Sequence, residues 1–137
     1  KTVRVAVHCT EADCGQQPIE WAKEQGLNVM TFLMMSHKLE AGALAEQAVK
    51  LESYGADVVY VVDSAGAMVP QQAGERVAEL RSAIDVGIGF HAHQRVRART
   101  LQHHYLDVAD LELILRRRGH GGSGGGGGRS NSSSSSM

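Results

Sequence analysis

Four short apolar runs recur along the first 94 residues, and each is followed by a polar turn and an amphipathic segment. They span residues 3–9, 28–35, 57–63 and 87–93. The runs are rich in Val and apolar at both alternating positions, which is typical of parallel strands covered on both faces. Their carboxyl ends are 26, 28 and 30 residues apart, and a strand–helix–strand unit takes about 30 residues. The pattern therefore predicts a series of βα units.

Amphipathic segments between the runs predict the helices. Leu44, Ala48 and Leu51 recur at helical spacing, and Pro18 suits the first turn of an earlier helix, where its missing N–H is not needed. Gly26 and Gly55 stand where a helix ends in a left-handed residue. We expect strands near 3–8, 28–34, 58–63 and 87–91, and helices near 18–25, 40–54 and 70–82.

The number of units limits the possible architectures. A closed (β/α)₈ barrel takes about 250 residues, and this chain has 137. The units could form an open doubly wound sheet or an arc of a larger barrel. In an arc, the strands would follow one another in sequential order.

Charge and composition change near residue 94. Residues 1–94 carry seven basic and twelve acidic side chains, a net charge of −5, whereas the remainder carries seven Arg and three acidic residues, a net charge of +4. We divide the chain into a βα domain (1–94), an Arg-rich segment (95–118) whose spacing over Leu106–Leu115 favours one helix, and a Gly/Ser-rich tail (119–137) expected to be disordered. A change of reading frame near Gln94 would also enrich Arg, Gly and Ser.

Composition disfavours several function classes. Two cysteines, Cys9 and Cys14, cannot make a disulfide scaffold, so we expect a reducing, cytoplasmic location. No apolar run approaches the ~18 residues of a membrane span. The net charge is −1, and the Arg-rich segment comes without a nucleic-acid-binding fold. We expect neither a membrane nor a nucleic acid as partner.

Polar side chains gather where the predicted strands end. The four ends carry, in order, His8, Thr10 and Glu11, then Ser36 and His37, then Asp63 and Ser64, then His91 and His93. Each residue alone is an ordinary turn former. Because α/β folds place their sites at the carboxyl ends of strands, the recurrence on four successive strands indicates a functional site.

His91 and His93 are the most specific pair in this set. Two positions apart on a strand, they point to one face with Cα atoms roughly 6–7 Å apart, so both imidazoles could meet on one metal ion. A catalytic metal needs at least one further ligand, and Glu11 and Asp63 are the nearest candidate carboxylates.

Four longer segments carry a family resemblance. VRVAVHCTEAD (3–13), FLMMSHK (32–38), YVVDSAGAM (60–68) and GIGFHAH (87–93) closely resemble the 4-hydroxy-2-oxovalerate aldolases, relatives of 3-hydroxy-3-methylglutaryl-CoA lyase, in order and spacing. The resemblance covers residues 3–93. It implies an α/β fold in which these units are about strands four to seven of a TIM-type (β/α)₈ barrel.

The resemblance also implies an activity. The family cleaves 4-hydroxy-2-oxopentanoate to pyruvate and acetaldehyde with a divalent metal, typically Mn²⁺, in the catabolism of aromatic compounds. Its metal ligands fall on His91 and His93, and its substrate contacts on Ser64 and His91. Its usual partner is an acylating acetaldehyde dehydrogenase, which takes over the aldehyde.

The resemblance leaves the catalytic residues unassigned. The family's arginine–aspartate pair, the histidine that follows it and a late tyrosine have no counterpart in this chain. We therefore expect aldolase lineage with impaired turnover. The alternatives are a non-catalytic truncated or frameshifted α/β remnant, and another metal-binding α/β module.

Overall fold

Parallel strands and helices alternate in the computed structural model, which describes residues 1–92 and the backbone of residues 111–115. Strands β1 to β4 span Thr2–His8, Asn28–Met34, Val58–Asp63 and Gly87–Ala92. Helices α1 to α3 span Gln16–Glu24, Ala41–Ser53 and Pro70–Ala83. Every one of these elements lies within two residues of its sequence prediction. Two short 3₁₀ turns, Ala12–Gly15 and Ser36–Lys38, were not predicted.

The order of the strands identifies the architecture. The sheet order is β1-β2-β3-β4, continued by a fifth strand, and the first four strands pair in parallel with their neighbours in sequence. A doubly wound sheet would reverse its strand order at a switch point. The sequential order confirms the predicted arc of a TIM-type barrel.

The fifth strand, β5 (Leu111–Leu115), pairs antiparallel with β4. The predicted helix is wrong over these residues, because pairing with β4 holds the backbone extended and a short apolar run fits either structure. β5 also covers the edge of β4, which a four-stranded arc would leave open. His93, the rest of the Arg-rich segment and the predicted disordered tail (119–137) lie outside the described residues.

The helices cover one face of the sheet. Alternate strand residues, among them Val7, Leu33, Val61 and Ile88, join buried helix residues in a single core. The largest helix contributions are Ile19, Leu44, Leu51 and Leu80, all fully buried. The strands were predicted to be covered on both faces, but like-handed crossovers between sequential parallel strands place every helix on the same side. Within residues 1–92, no helix is long and apolar enough to cross a membrane.

The opposite side of the sheet, here called the open face, is built around an aromatic pair. Phe32 and Tyr60 stack there with ring centroids 4.5 Å apart, and the Arg4 guanidinium carbon lies 5.8 Å from the Phe32 centroid. Gly89 is the register partner of Tyr60 on β4. A Cβ atom at Gly89 would lie 2.7 Å from Tyr60 Cζ and closer still to other ring atoms, so only glycine fits beside this ring.

The contact between Gly89 and Tyr60 can be tested by substitution. We expect Gly89→Ala to lower the free energy of unfolding by about 1–3 kcal/mol, because overpacking must displace a fully buried ring. Gly74→Ala in α3 is the matched control, since nothing lies within 4 Å of an added Cβ there, and it should stabilise the helix by about 1 kcal/mol. Urea titrations followed by circular dichroism measure both changes. Similar effects of the two substitutions would contradict the packing described.

The apolar side chains on the open face also lead us to expect that the chain self-associates. Met30, Phe32 and Met34 are only partly covered there, and within the described residues no strand pairs with the outer edge of β1. Unpaired edges and apolar faces favour association. We expect the molar mass from light scattering to rise with protein concentration. A monomer at every concentration, with one sharp unfolding transition, would contradict this expectation.

Candidate functional site

The carboxyl ends of β1 to β4 lie along one edge of the sheet because the strands run parallel. His8 ends β1 beside Met34, and His91 lies beside Val62. Val7 and Ile88 point into the helix-side core, so the alternation along each strand places His8 and His91 on the open face. The structure therefore brings two predicted site residues to the same edge and the same face.

Asp63 ends β3, where its carboxylate holds the next loop. The residue is 2% exposed, and its two carboxylate oxygens accept hydrogen bonds from the backbone N–H groups of Ala67 at 3.0 Å and Met68 at 2.9 Å. Both oxygens are committed to this turn. Asp63 is therefore the anchor of the loop that begins with Ser64.

Ser64 is oriented by a contact with the loop after β2. Its Oγ accepts a hydrogen bond from the backbone N–H of Met35 at 3.1 Å. Among the described residues Ser64 Oγ has no other partner, so its hydroxyl proton is free to be donated to a ligand oxygen. Met35 has a left-handed backbone with φ of 61°, which is uncommon for a residue other than glycine.

Cys9 holds Met35 from the other side. Its thiol donates a hydrogen bond to the Met35 carbonyl at 3.3 Å, and burial raises the pKa of the thiol. The neutral thiol is therefore the stable form, which disfavours Cys9 as a nucleophile or a metal ligand. The role of Cys9 is structural, because its thiol holds Met35, the residue that orients Ser64.

A buried arginine from α3 fixes the same loop. Arg76 is 6% exposed and donates from Nε to the Ser36 carbonyl at 3.2 Å and from Nη2 to the Leu39 carbonyl at 2.5 Å. The Ser36 hydroxyl donates to the Leu33 carbonyl at 2.6 Å and accepts the Val62 N–H at 3.2 Å. Ser36, a predicted site residue, is thus a buried tie between β2 and β3.

Sequence reasoning missed Arg76. The available signal was its place between Ala73 and Leu80, within the apolar stripe of α3. A charged residue there is either at the border of the stripe or buried with several hydrogen-bond acceptors. The sequence alone does not show those acceptors, because they are backbone carbonyls of a distant loop.

Three other predicted residues lie near this edge with local roles. His37 Nδ1 lies 3.8 Å from Asp63 Oδ1 and has no hydrogen-bond partner within residues 1–92; this distance is too long for a hydrogen bond. Thr10 pairs with His8, its hydroxyl 2.7 Å from Nδ1. Glu11 is exposed and precedes the first 3₁₀ turn without a side-chain capping bond.

One predicted metal ligand, His91, lies within the described residues. His91 is partly exposed on the open face, and a neutral imidazole suits divalent transition metals. Across residues 1–92, no group of three His, Cys, Asp or Glu side chains could hold a metal ion. His91 therefore fits a metal only if further ligands join it, and its sequence partner His93 lies beyond the described range.

Known proteins are similar in sequence to the βα part of the chain. A model of the HMGL-like family matches residues 6–97. Over 96 residues the chain is 80% identical to 4-hydroxy-2-oxovalerate aldolase 2 of Rhodococcus opacus (strain B4) and 78% identical to 4-hydroxy-2-oxovalerate aldolase 2 of Nocardia farcinica. It is 53% identical to 4-hydroxy-2-oxovalerate aldolase of Carboxydothermus hydrogenoformans. These stretches cover 70% of this chain and 28–29% of each relative, so the chain spans less than a third of the length of these relatives.

Removal of the buried Arg76 side chain should destabilise the folded state strongly. We expect Arg76→Met to lower the free energy of unfolding by about 2–3 kcal/mol, because the partly buried Leu39 carbonyl loses the Arg76 donor and the buried Ser36 carbonyl keeps only the N–H of Leu39. Arg81→Met is the matched control, since Arg81 lies on the same helix and is exposed, and it should change stability by less than ~0.5 kcal/mol. Urea unfolding measures both variants. Equal stabilities would mean that Arg76 does not hold the loop.

Proposed function

The chain belongs to the HMGL-like family, and we propose that it carries part of a divalent-metal aldolase site that acts on 4-hydroxy-2-oxopentanoate. The proposal rests on the 78–80% identity to proteins named 4-hydroxy-2-oxovalerate aldolase. The position of His91 supports it, because this residue lies at the edge where the strand ends meet. In a complete barrel, this edge surrounds the mouth of the active site.

The proposed roles belong to residues at the carboxyl ends of two strands, β3 and β4. His91 and His93 bind the metal, most simply Mn²⁺, and a bound divalent ion supplies Lewis-acid polarisation of the 2-oxo group. His91 also borders the substrate. Ser64, held by the Met35 N–H at 3.1 Å, donates a hydrogen bond from its hydroxyl group to the substrate carboxylate. A hydrogen bond to a charged group contributes about 1.5–3 kcal/mol, enough to orient the oxo acid.

The physiological setting belongs to the same proposal. The reaction would release pyruvate and acetaldehyde in the catabolism of aromatic compounds, in the cytoplasm. An acylating acetaldehyde dehydrogenase would take up the reactive aldehyde. The free thiols of Cys9 and Cys14 fit a reducing compartment.

A second candidate is a non-catalytic α/β remnant that keeps only the metal pair. The family match ends at residue 97, close to the change in charge near residue 94. The sequence holds no counterpart of the arginine, histidine and tyrosine that the aldolase resemblance assigns to catalysis. We propose that the isolated chain binds the metal weakly and cleaves substrate at or near zero rate.

Calorimetric titration with Mn²⁺ tests the metal site. We expect weak binding that is lost in the variant carrying both His91→Ala and His93→Ala. Binding should also weaken at acidic pH, because a protonated imidazole cannot ligate. The matched control carries both His103→Ala and His104→Ala, a second histidine pair in the sequence, and should retain the heat. Equal heats from the parent and the His91/His93 variant would contradict the proposed metal site.

An aldol cleavage assay tests whether the part of the site that this chain carries turns over on its own. Pyruvate release is followed with 4-hydroxy-2-oxopentanoate and Mn²⁺, in the parent chain and in the His91/His93 variant. We expect no release above the uncatalysed rate. Metal-dependent release that is lost in the variant would contradict the proposed loss of turnover and establish a working aldolase site.

A further inference from the structure

His8 lies at the same edge and face as His91 and has no part in the function proposed above. We infer that His8 is a further substrate-binding residue, whose Nε2–H donates a hydrogen bond to the oxygen at the end of the oxo acid distal to its carboxylate. The inference rests on the proposed function, since it takes the same ligand.

The contacts of His8 settle which ring nitrogen carries the proton. Nδ1 accepts a hydrogen bond from the backbone N–H of Thr10 at 3.3 Å. A backbone amide can only donate, so Nδ1 presents its lone pair, and the proton of the neutral imidazole resides on Nε2. The Thr10 hydroxyl, 2.7 Å from the same atom, is a second donor. The backbone amide fixes the tautomer, and the two contacts together hold the ring in place.

The Nε2–H group is then available to a ligand. His8 is only partly buried, and within residues 1–92 its Nε2 has no hydrogen-bond partner. Its strand neighbour Val7 lies in the helix-side core, so His8 projects from the open face. A fixed donor at a strand end, on the face that carries His91, is suited to bind an oxygen atom.

The order of the strands selects the end of the ligand that His8 can reach. Ser64 follows β3 and His91 lies on β4, so these neighbours take the carboxylate and the 2-oxo group. His8 lies on β1, two strand spacings beyond β3, which corresponds to about 10 Å along the sheet. On the inner face of a barrel, side chains converge toward the axis. The distal hydroxyl of a five-carbon hydroxy-oxo acid is therefore the group nearest to β1.

Two ligands distinguish substrate binding by His8 from a role limited to its hydrogen bonds with Thr10. 4-Hydroxy-2-oxopentanoate carries the distal hydroxyl, and pyruvate lacks it. Equilibrium dialysis with Mn²⁺ measures the dissociation constant of each ligand for the parent chain, for His8→Phe and for His8→Gln. Circular dichroism verifies that the variants fold. The amide nitrogen of Gln replaces Nε2 as a donor.

We expect His8→Phe to weaken binding of 4-hydroxy-2-oxopentanoate about three- to tenfold, the effect of one hydrogen bond, and to leave pyruvate binding within twofold. His8→Gln should restore most of the loss. Equal weakening of both ligands, or of neither, would overturn the inference and leave the aldolase proposal intact. Failure of the parent chain to bind either ligand would overturn the aldolase proposal, and the inference with it.

Discussion

In a parallel sheet, each strand is reached from the carboxyl end of its predecessor by a crossover, and in this chain the three crossovers carry helices that pack into one core. Two consequences follow from this connectivity. The carboxyl ends of four strands lie along one edge, so residues some 30 positions apart become neighbours. The helices also leave one face open, and His8 and His91 lie on it.

Buried hydrogen bonds give that edge its shape. Arg76 and Ser36 hold the loop after β2, and Asp63 holds the loop after β3. The Met35 N–H then joins the two loops through the Ser64 hydroxyl. Polar groups without water to compete are strongly held when fully paired. Ser64 is consequently presented by a rigid support rather than by a free loop.

The elements of the fold could be predicted from the sequence because their signals are local. Val-rich runs, helical spacing at Leu44 and Leu51, and helix-ending glycines each depend on a few neighbouring residues. That polar residues at the strand ends would meet at one edge was also predictable, from their recurrence on successive strands. The separate roles were not, because the partners of Asp63 and Arg76 are backbone groups that only the folded chain brings near. The conformation of β5 likewise depends on its pairing with β4.

The proposed metal lies at the carboxyl edge of the open face, between strand ends that the fold brings together. Paramagnetic broadening of backbone amide NMR signals by substoichiometric Mn²⁺ tests it most directly, because the effect falls steeply with distance from the ion. We expect strong broadening at Ser64 and His91, weak broadening at the amino ends of the strands, such as Thr2 and Gly87, and loss of this pattern in the variant lacking both His91 and His93. Broadening that centres on the amino ends, or that persists unchanged in that variant, would contradict it.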